Sequence, residues 1–373
     1  MIAQNSTAKN RPGRRPPFGA AQLKLLERLC TACAVSGDEG EVRAIVLEQI
    51  QEHVRSKNGE VKVDALGNVL VSLPGSSTAL GARLRVMLAA HMDEVGFMII
   101  QAEEDGIYRF ETVGSMDVRQ IVGKPVWIGH QHIPGVIGAK PIHLTGKDEI
   151  KSLISLDTLR IDTGLGKTKV QIGERAAFTT PFLRLGPSLR AKALDNRLGV
   201  SALIELVKNA PSNIDLLAAF TVQEEVGGRG ARVAAYAFNP DMAIALDSTP
   251  AYDLPVWDET ENAVYNTRLG HGPAIYLADP GTLSDPRLIR HLAQSAETAG
   301  IPYQFRQPGG GGTDAGAIHL QRAGIPSVSV SVPSRYQHTA ASICRIADWQ
   351  DTLALLQVAL SSLTPALLAV ERA

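Results

Sequence analysis

Residues 216–222 form an apolar run that closes on Gln223-Glu224-Glu225-Val226-Gly227-Gly228, two adjacent carboxylates between a buried-strand pattern and a glycine turn. Two negative charges at a buried strand end are costly unless a cation or a catalytic need offsets them. Neighbouring residues on extended backbone point in different directions, so one glutamate can hold a metal while the other handles protons. The stretch therefore asks for a sheet whose strands end at a polar site. Open α/β sheets meet that demand, because their sites gather outside the carboxyl ends of the strands.

Three further segments place a ligand-type residue beside an apolar segment: Ala90-His91-Met92-Asp93, Ala193-Leu194-Asp195-Asn196 and Ala245-Leu246-Asp247-Ser248. His91 and Asp93 lie two apart on extended backbone, hence on one side of it, a spacing that suits a ligating imidazole steadied by a carboxylate. A His-Asp pair in a turn has the same spacing. Asp195 opens a helical pattern, where it can act as an N-cap or as a bridging carboxylate. Asp247 ends an apolar strand, as a turn cap or a ligand. His338 follows the strand pattern 327–332 after a short loop, where a lone histidine is usually solvated. Taken together the set is that of a two-metal hydrolytic centre, in which N and O donors suit hard and borderline divalent ions and no cysteine takes part.

A chain of 373 residues exceeds what one core organises, so two structural units are expected. The order of patterns predicts helices over 19–34 and 41–54, a hairpin over 61–71, and a strand over 84–90 that His91 ends. From there to about residue 180 the texture is of short alternating strands with frequent Gly and Pro, and one short helix over 148–153. After Asp195, helices over 196–208, 229–237, 285–299, 313–323 and 349–368 alternate with strands over 214–222, 242–246 and 327–332. The reading is an α/β catalytic domain (19–95 and 181–373) interrupted by a β-rich insertion (96–180), behind a flexible arm (1–18).

The runs Ala90-His91-Met92-Asp93-Glu94-Val95-Gly96-Phe97, Lys192-Ala193-Leu194-Asp195-Asn196-Arg197, Glu224-Glu225-Val226-Gly227 and Gly312-Thr313-Asp314-Ala315-Gly316-Ala317-Ile318-His319 are similar, in this order, to those of the tetrahedral glutamyl or deblocking aminopeptidases. These are cocatalytic metallopeptidases, some of whose members carry cellulase names. The resemblance implies a phosphorylase/hydrolase-like three-layer α/β domain, with an inserted PDZ-like or small barrel domain used for dimerisation. It implies two divalent ions per subunit, zinc first, with cobalt and manganese as alternatives. His91 and Asp247 would hold one ion, Glu225 and His338 the other, and Asp195 would bridge them. Glu224 would be the general base and Asp93 would orient His91. The chain departs from the family after the last histidine: the usual Pro two positions on, and the acid beyond it, are absent from His338-Thr339-Ala340-Ala341-Ser342.

The implied reaction is removal of N-terminal residues from short peptides by a metal-activated water. An amidase or deacylase acting on N-acyl amino acids would use the same centre, and a metal-independent endoglucanase would use the paired acids alone. A formal charge of -1 gives no reason to expect nucleic acid or an anionic membrane as partner, and no apolar run reaches membrane-spanning length. The expected partners are the peptide and copies of the same chain, as dimers assembling into a dodecamer. Three cysteines and the lack of a secretory apolar stretch suit the cytoplasm. Cys30 and Cys33 read as small apolar residues on the first helix. His130, His132, His143, His271, His291 and His319 are expected to be structural or exposed. The Gly309–Gly312 run lacks the ending of a phosphate loop and suits close approach to a peptide.

Overall fold

The computed structural model describes residues 15–76, 83–164, 166, 169–254 and 267–372. The first described elements are α1 (Ala20–Thr31), α2 (Gly40–Ser56), β1 (Glu60–Val63), β2 (Val69–Leu73) and β3 (Arg85–His91). Then come β4 (Gly96–Ala102), β5 (Ile107–Val113), β6 (Pro125–Ile128), β7 (Ile133–Gly138), β8 (Arg160–Asp162) and β9 (Arg175–Phe178). The chain continues with β10 (Leu183–Leu185), β11 (Ser188–Ala191), α3 (Leu194–Lys208), β12 (Asp215–Thr221), α4 (Arg229–Phe238), β13 (Met242–Pro250), β14 (Ala274–Tyr276) and α5 (Pro286–Ala299). It ends with β15 (Gln304–Arg306), α6 (Asp314–Ile318), β16 (Ser327–Arg335), β17 (Ser342–Arg345), α7 (Ile346–Ser361) and α8 (Ala366–Ala369).

The large sheet runs β1-β2-β12-β3-β13-β16-β17-β11-β10, with β14 and β15 attached beside β16. Its centre, β12-β3-β13-β16, is parallel. Parallel strands are buried on both faces, and the residues of these four divide by parity. Val86, Leu88, Leu216, Phe220, Ile244 and Val330 face a core shared with α1, α2, α3, α5 and α7. Met87, Ala89, Leu217, Ala219 and Ala243 face a smaller core under α4 and α6. Helix, sheet and helix make three layers. Of the parallel strands, β12 is added on one side of β3 and β13 and β16 on the other, so the carboxyl end of β3 lies where the strand order reverses, the place where open α/β sheets bind ligands.

The strands β4-β5-β8-β7-β6-β9 close into a barrel with its own core. Phe97 sits at its centre, edge-on to Phe110 and Phe178 at 5.2 Å each. The mixed α/β architecture with a second, smaller β unit is the expected fold class. Only four residues, Met92 to Val95, separate β3 from β4, so the barrel is held close to the end of the central strand.

Several elements differ from their expected form. Over 148–153 there is only a 3-10 turn, Glu149–Lys151. The helix expected over 313–323 is the five-residue α6, started by Thr313, whose hydroxyl accepts the Ala315 N–H. The last helix begins earlier, at Ile346, and stops at Ser361, short of Pro365. Strand β13 runs on to Pro250, so Asp247 lies inside it and does not end it; eight residues paired with β16 carry it past the acid. Of the stretch set apart as a flexible arm, residues 1–14 lie outside the described residues. Arg15 pairs with Asp351 at 2.7 Å and Phe18 packs edge-on against Trp349, so residues 15–18 are docked on α7. Among the described residues no helix is long and apolar enough to cross a membrane.

Candidate metal centre

Side chains from or just after four parallel strands, and one from a helix start, converge at the carboxyl edge of the sheet. His91 is the last residue of β3 and pairs in register with Thr221, the last of β12; the acids follow three and four residues later. Asp247 lies opposite Ser331 in the next pair of strands. His338 follows β16 after a short loop, and Asp195 sits in a non-helical first turn of α3, with no capping hydrogen bond from the helix start. The N-cap reading of Asp195 is therefore not what its carboxylate does.

The two oxygens of Asp195 face two different imidazoles. Its Oδ1 lies 3.2 Å from His91 Nε2, and its Oδ2 lies 3.5 Å from His338 Nε2. Each imidazole has a second carboxylate at the same nitrogen: Asp247 Oδ1 at 3.5 Å from His91, and Glu225 Oε2 at 3.3 Å from His338. The result is two imidazole–carboxylate pairs sharing one aspartate. The far nitrogens are occupied as well, His91 Nδ1 by the Asp93 carbonyl at 3.2 Å and His338 Nδ1 by the Ser115 carbonyl at 2.9 Å. Each ring thus turns Nε2 into the site, the arrangement that metal-binding histidines adopt.

Asp93 does more than face His91. Its Oδ1 accepts the Glu224 N–H at 3.0 Å, and its Oδ2 accepts the Glu225 N–H at 3.1 Å and the Ser36 hydroxyl at 2.6 Å. The same carboxylate, 3.4 Å from His91 Nδ1, therefore fixes the paired glutamates. Just before them Gln223 adopts φ +57°, Ala193 stands at +52° two residues before Asp195, and His338 itself is at +55°. Left-handed backbone at non-glycine residues costs on the order of 1–3 kcal/mol each and persists where the surroundings over-determine it.

The charges do not balance. Burial pushes the Glu225 carboxyl up to about 8 and Asp247 up to about 6, and raises Glu224 well above the usual range. Burial also raises Asp314, to about 7; its Oδ2 accepts the Thr221 hydroxyl at 2.5 Å. Burial works against a proton on His338 or His91, yet Asp195 and the neighbouring carboxylates raise both, His338 to about 9 and His91 well above its ordinary value. Asp195 moves the other way: the two imidazoles outweigh burial and hold it below the usual carboxylate range. An excess of buried carboxylates facing imidazole nitrogens fits divalent cations, which would replace protons as the neutralising charge. Donor atoms of His91, Asp195 and Glu225 already lie within 4.8 Å of one another.

Residues outside the expected set support these. Glu94 is buried against Lys192 at 2.7 Å and Arg197 at 3.0 Å, and Arg197 also donates to the Met92 and Asp93 carbonyls. All three residues lie in motifs visible in the sequence, but their meeting is not. Glu39 accepts the Gly37 and Gln223 N–H groups, and Ser115 acts through its backbone, which carries no sequence signal. The centre opens on one end of a cleft of about 1000 Å³, whose walls include Gly311, Gly312, Tyr252, Tyr276, Arg306 and Leu320. His319 bonds the Ala315 carbonyl and takes no part.

A three-layer α/β domain with this cluster at its strand ends is the framework of a metal-dependent hydrolase. The profile of the M42 glutamyl aminopeptidase family matches residues 67–355. The glutamyl aminopeptidase of Lactococcus lactis subsp. cremoris is 31% identical over 347 residues, 88% of this chain and 93% of that protein. The TET aminopeptidase from the marine sediment archaeon Thaumarchaeota archaeon SCGC AB-539-E09 superimposes with a TM-score of 0.87 at 30% identity, covering 94% of this chain and 98% of its own. The TET1 peptidase of Pyrococcus horikoshii, described as assembling into a tetrahedron or a large octahedral shell, gives 0.78 at 30% identity over 92% and 100%. The chain belongs to the M42 glutamyl aminopeptidase family. It is a peptidase, and the resemblance read from its motifs holds.

Proposed function

We propose that the chain removes N-terminal residues from short peptides, with His91, Asp195, Glu225, Asp247 and His338 as ligands of two divalent cations and Glu224 as the general base. The observation that carries this reading is Asp195, shared between the His91–Asp247 and His338–Glu225 pairs. Held by these residues, two divalent ions would supply Lewis acidity to the scissile carbonyl and the attacking water and a place for the substrate's free amine. The donor set contains no sulfur and suits zinc, cobalt or manganese; zinc is the ion proposed.

Glu224 is not among the groups in contact with either imidazole. Burial raises its proton affinity above the usual carboxylate range, and its peptide N–H is fixed by Asp93. It takes the proton of the attacking water and returns it to the leaving amine. Asp93 positions His91 and the Glu224-Glu225 backbone together. Gly311 and Gly312 leave backbone free of side chains along the cleft wall, where an extended peptide can approach closely.

Glu225 faces an imidazole shared with Asp195 and does not stand with Glu224 as an isolated facing pair, which favours metal-dependent peptide hydrolysis over metal-independent glycoside hydrolysis. The free thiols of Cys30, Cys33 and Cys344 support a cytoplasmic setting. We further infer self-association through the barrel, as dimers and from them a dodecamer: Ile142, Leu144 and Leu153 stand 62–82% exposed on one segment of it.

The test is release of amino acids from unblocked and N-acetylated peptides, before and after chelation and with each metal restored. Activity on unblocked peptides that chelation abolishes is the expected result. Cleavage of N-acyl amino acids alone would move the chain to the deacylase reading, and activity on β-glucan that survives chelation would move it to a glycosidase.

A further inference from the structure

Two of the histidines expected to be structural or exposed have carboxylate partners where the barrel meets the α/β domain. His132 Nε2 lies 2.6 Å from Glu41 Oε1, and the other oxygen of Glu41 accepts the Cys33 N–H at 2.9 Å. Helix α1 ends at Thr31, so Cys33 is not a helical residue but lies in the turn before α2. One donor atom each from Cys33, Glu41 and His132 fall within 4.8 Å of one another. The imidazole is held in place: His132 has φ +50°, and its ring stacks on Trp127 at 5.0 Å with the planes 3° apart. A cavity of about 10 Å³ next to Cys33 and Glu41 is also lined by Asp38, His130, Trp127 and Arg175, and His130 Nε2 is 3.5 Å from Asp38 Oδ1. A space of that size holds one water-sized particle.

We propose that Cys33, Glu41 and His132 form a third metal site, separate from the catalytic centre, which takes a zinc-like divalent cation and clamps the barrel to the α/β domain. Thiolate, imidazole and carboxylate are the donors zinc accepts, and the sulfur selects against calcium and magnesium. Ligand atoms at roughly 2.0–2.3 Å from one ion stand roughly 3.2–3.8 Å from each other, so the 2.6 Å Glu41–His132 edge opens and the Cys33 edges, now within 4.8 Å, close around the ion. A water completes four-coordination. On binding, the Cys33 thiol loses its proton to solvent, and the Glu41–His132 hydrogen bond gives way to one bond from each residue to the ion. Two ligands come from the α/β domain and one from the barrel, so the ion ties the two together.

Cobalt(II) chloride added to the metal-free full-length chain tests this, because a cobalt–thiolate bond gives a near-ultraviolet charge-transfer band and the catalytic centre holds no sulfur. The wild type is expected to show the band and to bind three metal equivalents per chain. Cys33→Ser and His132→Ala should lose the band and one equivalent, while Asp195→Asn keeps the band and loses metal and activity at the catalytic centre. No band in the wild type would overturn the proposal and leave Glu41–His132 an ion pair beside a bystander thiol. A band that survives in Cys33→Ser but disappears in Cys30→Ser would overturn it too. Failure of the catalytic reading would show separately, as lost peptidase activity with the band intact.

Discussion

Glu224 and Glu225 are chemically identical neighbours, and their surroundings give them different work. Glu225 faces His338 at 3.3 Å, whereas Glu224 contacts neither imidazole and keeps a high proton affinity. Glu224→Gln keeps the shape and would remove the proposed base: kcat should fall by about 10²–10⁴-fold with metal stoichiometry unchanged, measured by turnover and elemental analysis on the same sample. A matching loss of metal would instead make Glu224 a ligand. The metal-free chain should also show a defined pH response. Glu225 is raised from 4.5 to about 8 and His338 from 6.5 to about 9, so the folded chain holds protons that the unfolded chain has released. Stability from both groups is complete below their unfolded values and is lost as pH rises, over about 4.5–8 for the first and 6.5–9 for the second. The melting temperature of the chelated protein should fall between pH 5 and 9, and saturating zinc should flatten that fall. A metal-free melting temperature that rises over this window would contradict the assignment.

At the scale of elements, the short link from β3 to β4 carries the site. Within it Asp93 reaches up to the glutamates after β12, and Glu94 reaches down to Lys192 before α3 and Arg197 within it. Removing one partner from a buried charge cluster leaves the others uncompensated. Glu94→Gln should therefore destabilise the fold by on the order of 3–5 kcal/mol in chemical denaturation, a loss that metal addition does not fully restore. Helix α3 is also fitted closely to β13. A Cβ on Gly199 would come 2.3 Å from Asn196 Oδ1 and 2.7 Å from the Leu246 carbonyl, one residue before Asp247. Gly199→Val should cost about 1–3 kcal/mol and lower metal affinity, because α3 can only move by carrying Asp195 away from Asp247. Unchanged affinity in the folded variant would show that the Asp195 turn is independent of this packing.

For the whole molecule the barrel has two parts to account for. One face meets the α/β domain and supplies the Ser115 carbonyl that fixes His338. The segment between β7 and β8 exposes Ile142, Leu144 and Leu153. Exposed apolar side chains of this kind are the proposed interaction surface. Ile142→Asp with Leu153→Asp should convert an oligomer into smaller species in analytical ultracentrifugation, with the circular dichroism spectrum unchanged. An unchanged sedimentation coefficient would place the interface elsewhere.

How much of this was legible depended on what kind of signal each part leaves. The parallel strands announced themselves because burial on both faces makes their sequences continuously apolar, and each ended close to a residue able to bind a metal. The short β10, β11, β14 and β17 were not visible, since three or four residues carry too little periodicity to separate strand from loop. The helix expected over 349–368 breaks because the run of apolar residues crosses Pro365, where hydrophobicity and backbone chemistry disagree.

The chain alone determined which side chains can bind cations and that they follow buried strands, because ligand chemistry and burial are properties of residue type and local order. Only the folded structure decided that Asp195 lies between two imidazoles, that Asp93 holds the glutamates' backbone, and that Glu94 meets Lys192 and Arg197. Those are distances between residues up to 143 positions apart in sequence. They are set by strand order and packing, which no local pattern encodes.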